Sequence, residues 1–381
     1  MYKLECAVQQ YAWGKKGGLV SQLAGIDENE TVAELWMGTH PKAPSLIASE
    51  QTCSLTDLLE KNSELAGSAA AFAPKGQLPF LFKVLSINKA LSIQAHPDKR
   101  LAESLHKASP DIYRDDNHKP EMAIAVTPFE GLCGFKSLEH IVEVLDTFPE
   151  LCFLLGDDVV NTFKRDSLSS DLGVQKSALK NLFSTLVMSD SDKVVKQVAL
   201  VVSRLKERTP KPPTGSCEEL FLRLDSQFPG GDIDCIECMA TSDNVVRVGL
   251  TPKLKDVDTL VSMLTYAHGP AKYLEPTIVG SKSKLFQPPI PEFRLLNTCL
   301  DVPGECVSFD PVDGPGIVLV YGGRGSFSVT SDVSKGITPA GEERVVVEAG
   351  DVFFLPASCG FEAISDGDAG LAFCKAFFQA A

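Results

Sequence analysis

The sequence predicts a mainly β protein in which an α-helical domain interrupts a first barrel and a second barrel follows. Three observations predict this class. Short apolar runs separated by Gly and Pro fill residues 3 to about 136, helical periodicity takes over from Ser137, and glycine-bounded strand runs return toward the C-terminus. The expected divisions are 1–136 for the N-terminal part of the first barrel, 137–225 for the helical insertion, 226–280 for the incomplete remainder of that barrel, and 281–381 for the second barrel.

Along the chain, the apolar run from Leu78 to Ile87 reads as a strand. At Leu91–His96 alternate residues share a face, so Ser92, Gln94 and His96 project one way and Leu91, Ile93 and Ala95 the other. Glu121 to Val126 alternates again, with Met122, Ile124 and Val126 suited to a core and Glu121 opposite them. Val194, Val198, Val201 and Leu205 recur at helical spacing behind a capping cluster at Ser189 to Asp192. Residues 209–216 (TPKPPTGS) break that helix into a loop, and another helix is expected from Val257 to Tyr266. From about Phe293 the runs 316–329 (GIVLVYGGRGSFSV) and 345–357 (VVVEAGDVFFLPA) look like jelly-roll, or cupin, strands. No histidine follows His268, so the second barrel is expected to be structural and to hold no metal through imidazole.

Composition bounds the function. The 381 residues are 44% hydrophobic, enough for two or three cores. The start, MYKLEC, has neither the charged region nor the apolar run of a signal peptide, and no apolar run is long enough to span a membrane. A net charge of −14 argues against nucleic-acid binding, which needs a basic face. The 11 cysteines are scattered and odd in number, which points to a reducing compartment, and a cytoplasmic location is expected. Cys235 and Cys238 form a C-x-x-C with no second pair and read as part of a strand.

Gln94, His96 and Glu121 form the strongest constellation. An imidazole, an amide oxygen and a carboxylate suit zinc, and manganese or iron would also accept them. Gln94 and His96 can bind one ion, and a neighbouring strand could bring Glu121 to it.

Seven ordered segments add a resemblance: 9–14 (QQYAWG), 34–41 (ELWMGTHP), 78–85 (LPFLFKVL), 91–99 (LSIQAHPDK), 117–122 (NHKPEM), 131–135 (GLCGF) and 237–253 (ECMATSDNVVRVGLTPK). Together they closely resemble type I mannose-6-phosphate isomerase, from near residue 5 to about 260. The resemblance implies one zinc per chain, held by Gln94, His96 and Glu121. It also implies interconversion of mannose 6-phosphate and fructose 6-phosphate through an enediol, supplying mannose for GDP-mannose and glycosylation. Arg247 would face the reacting end of the sugar, and Glu237 is a candidate acid or base. Lys83, Lys119, Lys253, Asp243, Glu34 and Trp13 match positions that line the family's pocket. A monomer acting on a small sugar phosphate is expected, with no nucleic-acid or membrane partner.

One family feature is missing. The fourth zinc ligand, a histidine in an N-x-P-H-A-Y segment, should lie about nine residues before Glu237, and Phe228 stands there instead. The chain passes from 226–234 (SQFPGGDID) directly to 235–240 (CIECMA), which reads as the loss of an internal segment near residues 232–235. His268, in a Gly/Pro turn, is not expected to replace it. The loss should open a sheet edge and an apolar core. Alternatives to an active enzyme are therefore a catalytically impaired isoform and a sugar-phosphate-binding protein without turnover. A cupin dioxygenase would need a two-histidine motif that this chain lacks.

Overall fold

The computed structural model describes residues 1–225, 233–330 and 344–380. Phe228 and Asp232 lie outside the described residues, whereas Ile233, Asp234 and Cys235 lie within them. The architecture is that of jelly-roll sheets with an inserted helical layer, as the alternation of the sequence predicts.

All eight residues of the strand Phe80–Ile87 are buried. It is the middle strand of a five-stranded antiparallel sheet ordered Glu121–Ala125, Ile233–Ala240, Phe80–Ile87, Glu34–Met37, Ala7–Gln9. One face of this sheet presents Phe80, Phe82, Val84, Ile236 and Cys238 to the largest core, where they meet Leu295, Ile317, Leu319 and Phe354 of a second sheet. Burying each of these large side chains contributes about 1.5–3 kcal/mol, which fixes the packing of sheet on sheet. The opposite face carries Lys83, Glu237 and Glu121.

The second sheet has twelve strands and is built mostly from residues after Thr277. The chain's first strand, Tyr2–Glu5, sits inside it, with Leu4 opposite both Val352 and Ile47. Beyond it lies a separate aromatic core of Phe327, Phe353, Phe361 and Phe373.

Ile233–Ala240, the strand after the suspected junction, pairs with Phe80–Ile87 on one side and with Glu121–Ala125 on the other. Asp234 anchors its start. The carboxylate of Asp234 accepts from the Lys15 ammonium (2.8 Å), the Ser86 hydroxyl (2.5 Å) and the Leu19 backbone N–H (3.0 Å). Among the described residues Glu121–Ala125 has no further neighbour, so the sheet ends there with Glu121, Ala123 and Ala125 exposed.

Residues 138–225 form six helices, beginning at Leu138–Thr147, whose N-cap Ser137 accepts from the His140 N–H. The periodic valines lie on Ser191–Glu207, capped by Asp190, with Val201, Val202 and Leu205 buried. The helix expected from Val257 to Tyr266 stops at Met263. Tyr266 has φ +51° instead, packs its ring on Phe135, and donates its hydroxyl to the Val261 carbonyl (2.8 Å). All eleven cysteines are free thiols.

Candidate active site

A cavity of about 420 Å³ opens on the polar face of the five-stranded sheet, and Glu34, Lys83, Gln94, His96, Lys119, Glu121 and Glu237 line it. Strand register explains this convergence. Glu237 is the direct cross-strand partner of Lys83, and Lys83 of Trp36.

Lys83 is 6% exposed, and its Nζ lies 3.3 Å from Glu237 Oε2 and 3.7 Å from Glu34 Oε1. Burial works against its charge, but the carboxylates of Glu237, Glu34 and Glu121 outweigh it and raise the Lys83 pKa well above the usual lysine range. Burial likewise pushes the Glu237 carboxyl up, only partly opposed by Lys83. The Trp36 indole donates to Glu34 Oε2 at 2.6 Å and its ring lies 5.3 Å from the Lys83 ammonium. Trp36 was not singled out by the sequence analysis. Its position two residues after Glu34, on the same face of the strand, is the signal that could have found it.

At the other end of the cavity, His96 Nδ1 donates to the Asn244 carbonyl (2.8 Å), and Nε2 lies 3.3 Å from Glu121 Oε2, donating to it in the metal-free pair and being the nitrogen that a metal would take in exchange for that proton. Lys119 pairs with the other Glu121 oxygen at 2.9 Å. Burial alone would raise the Glu121 carboxyl, but the His96 hydrogen bond and the Lys119 charge hold it at about 2. A tetrahedral zinc with bonds of about 2.0–2.1 Å sets neighbouring donors about 3.3 Å apart, so the His96 and Glu121 donors are spaced to fit one. Gln94 lines the same cavity, its Nε2 donating to Ser92 Oγ (2.8 Å), so its amide oxygen is the end outside that bond. His96 and Glu121 thus have the donor spacing of a zinc site, and Gln94 lines the cavity beside them.

The remaining nominated residues do not line this cavity. Arg247 lies directly opposite Gln94 in a two-stranded ribbon, half-buried and without an ion pair among the described residues. Lys253 is exposed in the loop beyond. Trp13 stacks on Tyr11 and packs beside Leu85 and Ile233. Asp243 lines a separate cavity of about 410 Å³, where His40 at 3.8 Å and Lys42 at 2.8 Å hold its carboxyl well below the usual range. The turn turns it away: Ser242 and the Asp243 N–H both bond the Asp115 carboxylate (2.7 Å each). His268 bridges to Phe135 and does not line the cavity. The cavity's far wall is apolar, with Phe129 and Leu132 exposed at its rim and Leu220 and Leu224 contributed by the helix Cys217–Asp225.

Residues 1–138 match the catalytic domain of type I phosphomannose isomerase, and residues 154–239 match that family's helical insertion domain. Mannose-6-phosphate isomerase of Bos taurus is 39% identical over 409 residues, covering 94% of each chain. The chain belongs to the type I phosphomannose isomerase family. By family it is an aldose–ketose isomerase. The Homo sapiens mannose-6-phosphate isomerase is 37% identical over 413 residues, again covering 94% of each chain. Both aligned stretches are longer than the 381 residues of this chain, so these isomerases carry residues that it lacks. Among solved structures, a phosphomannose isomerase variant from Salmonella typhimurium superposes with a TM-score of 0.80 at 25% identity, and a mannose 6-phosphate isomerase bound with zinc and yttrium with 0.78 at 26%. Each covers 100% of both chains.

Proposed function

We propose that this chain is a zinc-dependent isomerase that interconverts mannose 6-phosphate and fructose 6-phosphate, acting as a cytoplasmic monomer that feeds GDP-mannose synthesis. Residues 1–136 and 226–280 would form its catalytic unit, 137–225 its helical insertion and 281–381 a structural second barrel. Support comes chiefly from one observation: the Lys83, Glu237 and Glu34 cluster and the His96, Glu121 and Lys119 cluster are walls of one cavity.

The reaction moves a proton between C1 and C2 of an open-chain sugar and places negative charge on an adjacent oxygen. Glu237, a carboxyl whose pKa burial has raised, is suited to carry that proton. Lys83 keeps its charge and holds Glu237 in place while offering an ammonium to the developing oxyanion. Trp36 fixes the Glu34 carboxylate, so that Lys83 is shared between two anchored partners. Lys119 in the cavity, with Arg247 and Lys253 outside it, would attract the phosphate of the substrate to an otherwise acidic protein. Asp243 and Trp13 would act only as outlying contacts. Gln94, His96 and Glu121 would hold the zinc, which when bound supplies a fixed positive charge that polarises the sugar oxygens.

A second reading, a sugar-phosphate binder without turnover or an impaired isoform, is favoured by the residues that the relatives carry and this chain lacks. Conversion of fructose 6-phosphate to mannose 6-phosphate, assayed with zinc measured on the same sample, separates the two. Turnover with about one zinc per chain, lost in Glu237→Gln by a factor of about 10²–10⁴ in kcat, supports the isomerase. Sugar-phosphate binding by calorimetry with no turnover would sink it in favour of the second reading.

A further inference from the structure

Outside the cavity just described, the thiol of Cys217 has an imidazole beside it. Cys217 is the first residue of the nine-residue helix Cys217–Asp225, and the side chain of Ser216 ahead of it accepts from the Glu219 N–H at 3.1 Å. The thiol therefore sits at the amino end of that helix. His140, on the helix Leu138–Thr147, brings its Nε2 to 3.4 Å from Cys217 Sγ. Glu143 Oε2 lies 3.8 Å from the other ring nitrogen. Glu218 and Glu219, which follow Cys217, are paired with Arg208 and Arg223, so their charges are compensated next to the thiol. Neither of the exposed cysteines, Cys133 and Cys306, has an imidazole in hydrogen-bond range among the described residues.

We propose that Cys217, with His140 as its base, is a site of reversible oxidation by hydroperoxides. His140 accepts the thiol proton, and the thiolate sulfur attacks the terminal peroxide oxygen. The O–O bond breaks, and the released oxygen leaves as water or an alcohol, taking the proton from His140. Sulfur is oxidised by two electrons to a sulfenic acid and the peroxide is reduced by the same two; one thiol then condenses with the sulfenic acid to a disulfide, releasing water, and a second thiol exchanges with that disulfide to free the cysteine. The position matters because Cys217 packs against the apolar cluster of Phe148, Val201 and Leu205, while Leu220 and Leu224 of the same helix line the active-site cavity. Arg223, also on that helix, holds Glu130 of the cavity wall by two bonds of 2.8 Å. An oxygen added at the head of this helix would therefore disturb the seating of one cavity wall.

This assignment rests on the helical layer and is independent of the reaction the cavity performs. Its test treats the full-length protein with hydrogen peroxide in the presence of dimedone and follows labelling of each cysteine by peptide mass spectrometry. Cys217 should label about ten-fold faster than Cys133 and Cys306, and His140→Gln should slow Cys217 about ten-fold while leaving those two unchanged. Labelling of Cys217 no faster than the exposed thiols overturns the proposal, and so does an undiminished rate in His140→Gln that circular dichroism shows to be folded. Should that variant not fold, the comparison among thiols within the unmutated protein decides alone.

Discussion

Lys83 and Glu237 face each other as direct cross-strand partners, Nζ to Oε2 at 3.3 Å, with the second carboxylate of Glu34 3.7 Å from the same ammonium. One cation thus compensates two carboxylates on a sheet face. Replacing it leaves like charges together with nothing to offset them. Lys83→Met should destabilise the fold by about 3–5 kcal/mol, and adding Glu237→Gln should restore part of that loss. Urea unfolding of the two single variants and the double variant measures the coupling; strict additivity would contradict the shared-ammonium arrangement.

The zinc assignment predicts a stability effect that needs no turnover. A metal bound only by the folded state raises its melting temperature, and chelation reverses this. A chelator should lower the melting temperature of the parent protein and leave Glu121→Ala unmoved, because that variant should hold less than roughly a tenth of the parent's zinc. Scanning calorimetry with metal analysis on the same samples checks both.

Asp234 fastens the strand that follows the missing segment. It is 4% exposed and accepts from Lys15, Ser86 and the Leu19 N–H. Asp234→Ala would leave the Lys15 ammonium and the Ser86 hydroxyl without this acceptor, and should cost about 3–5 kcal/mol. Guanidinium unfolding followed by tryptophan fluorescence is a suitable measure. A loss under about 1 kcal/mol would mean that the strand is held by its ladder alone.

Lys375 supplies a pH dependence of known sign. It is 3% exposed in the second barrel, its ammonium 4.8 Å from the Phe377 ring centroid, and burial lowers its pKa from 10.5 to about 8. Between those values the unfolded chain binds the extra proton, so stability should rise as pH increases from 8 to 10.5. Below pH 8 the full cost of burying the charge applies, about 3 kcal/mol. Lys375→Met should remove that rise and stabilise the protein at pH 7 by about 1–3 kcal/mol. Denaturant titrations across this pH range would show a flat difference between the two proteins if the lysine is not responsible.

Much of the candidate site was legible in the chain. Alternation along the Ser92–His96 stretch and the mixed nitrogen and oxygen donors of Gln94, His96 and Glu121 are local properties, and the structure brings all three to one cavity. The capped helix Ser191–Glu207 was legible for the same reason, since its apolar period and its Asp190 cap act within a few residues. The helix end at Met263 was not, because the aromatic packing of Tyr266 on Phe135 overrides local preference there.

The sequence by itself therefore determined the element types and the family, which can be read from residues close together in the chain. Only the tertiary structure decided which residues meet. Register between two neighbouring strands joins Lys83 to Glu237, and the Asp115 bonds aim Asp243 into another cavity. It also sets the N-terminal strand Tyr2–Glu5 against Val352–Leu355 at the far end of the chain. A one-residue slip in any of these pairings would turn the side chains to the opposite face, and no local propensity distinguishes the two registers. Burial of the shared core does, because only one register puts Phe82, Ile236 and Phe354 together.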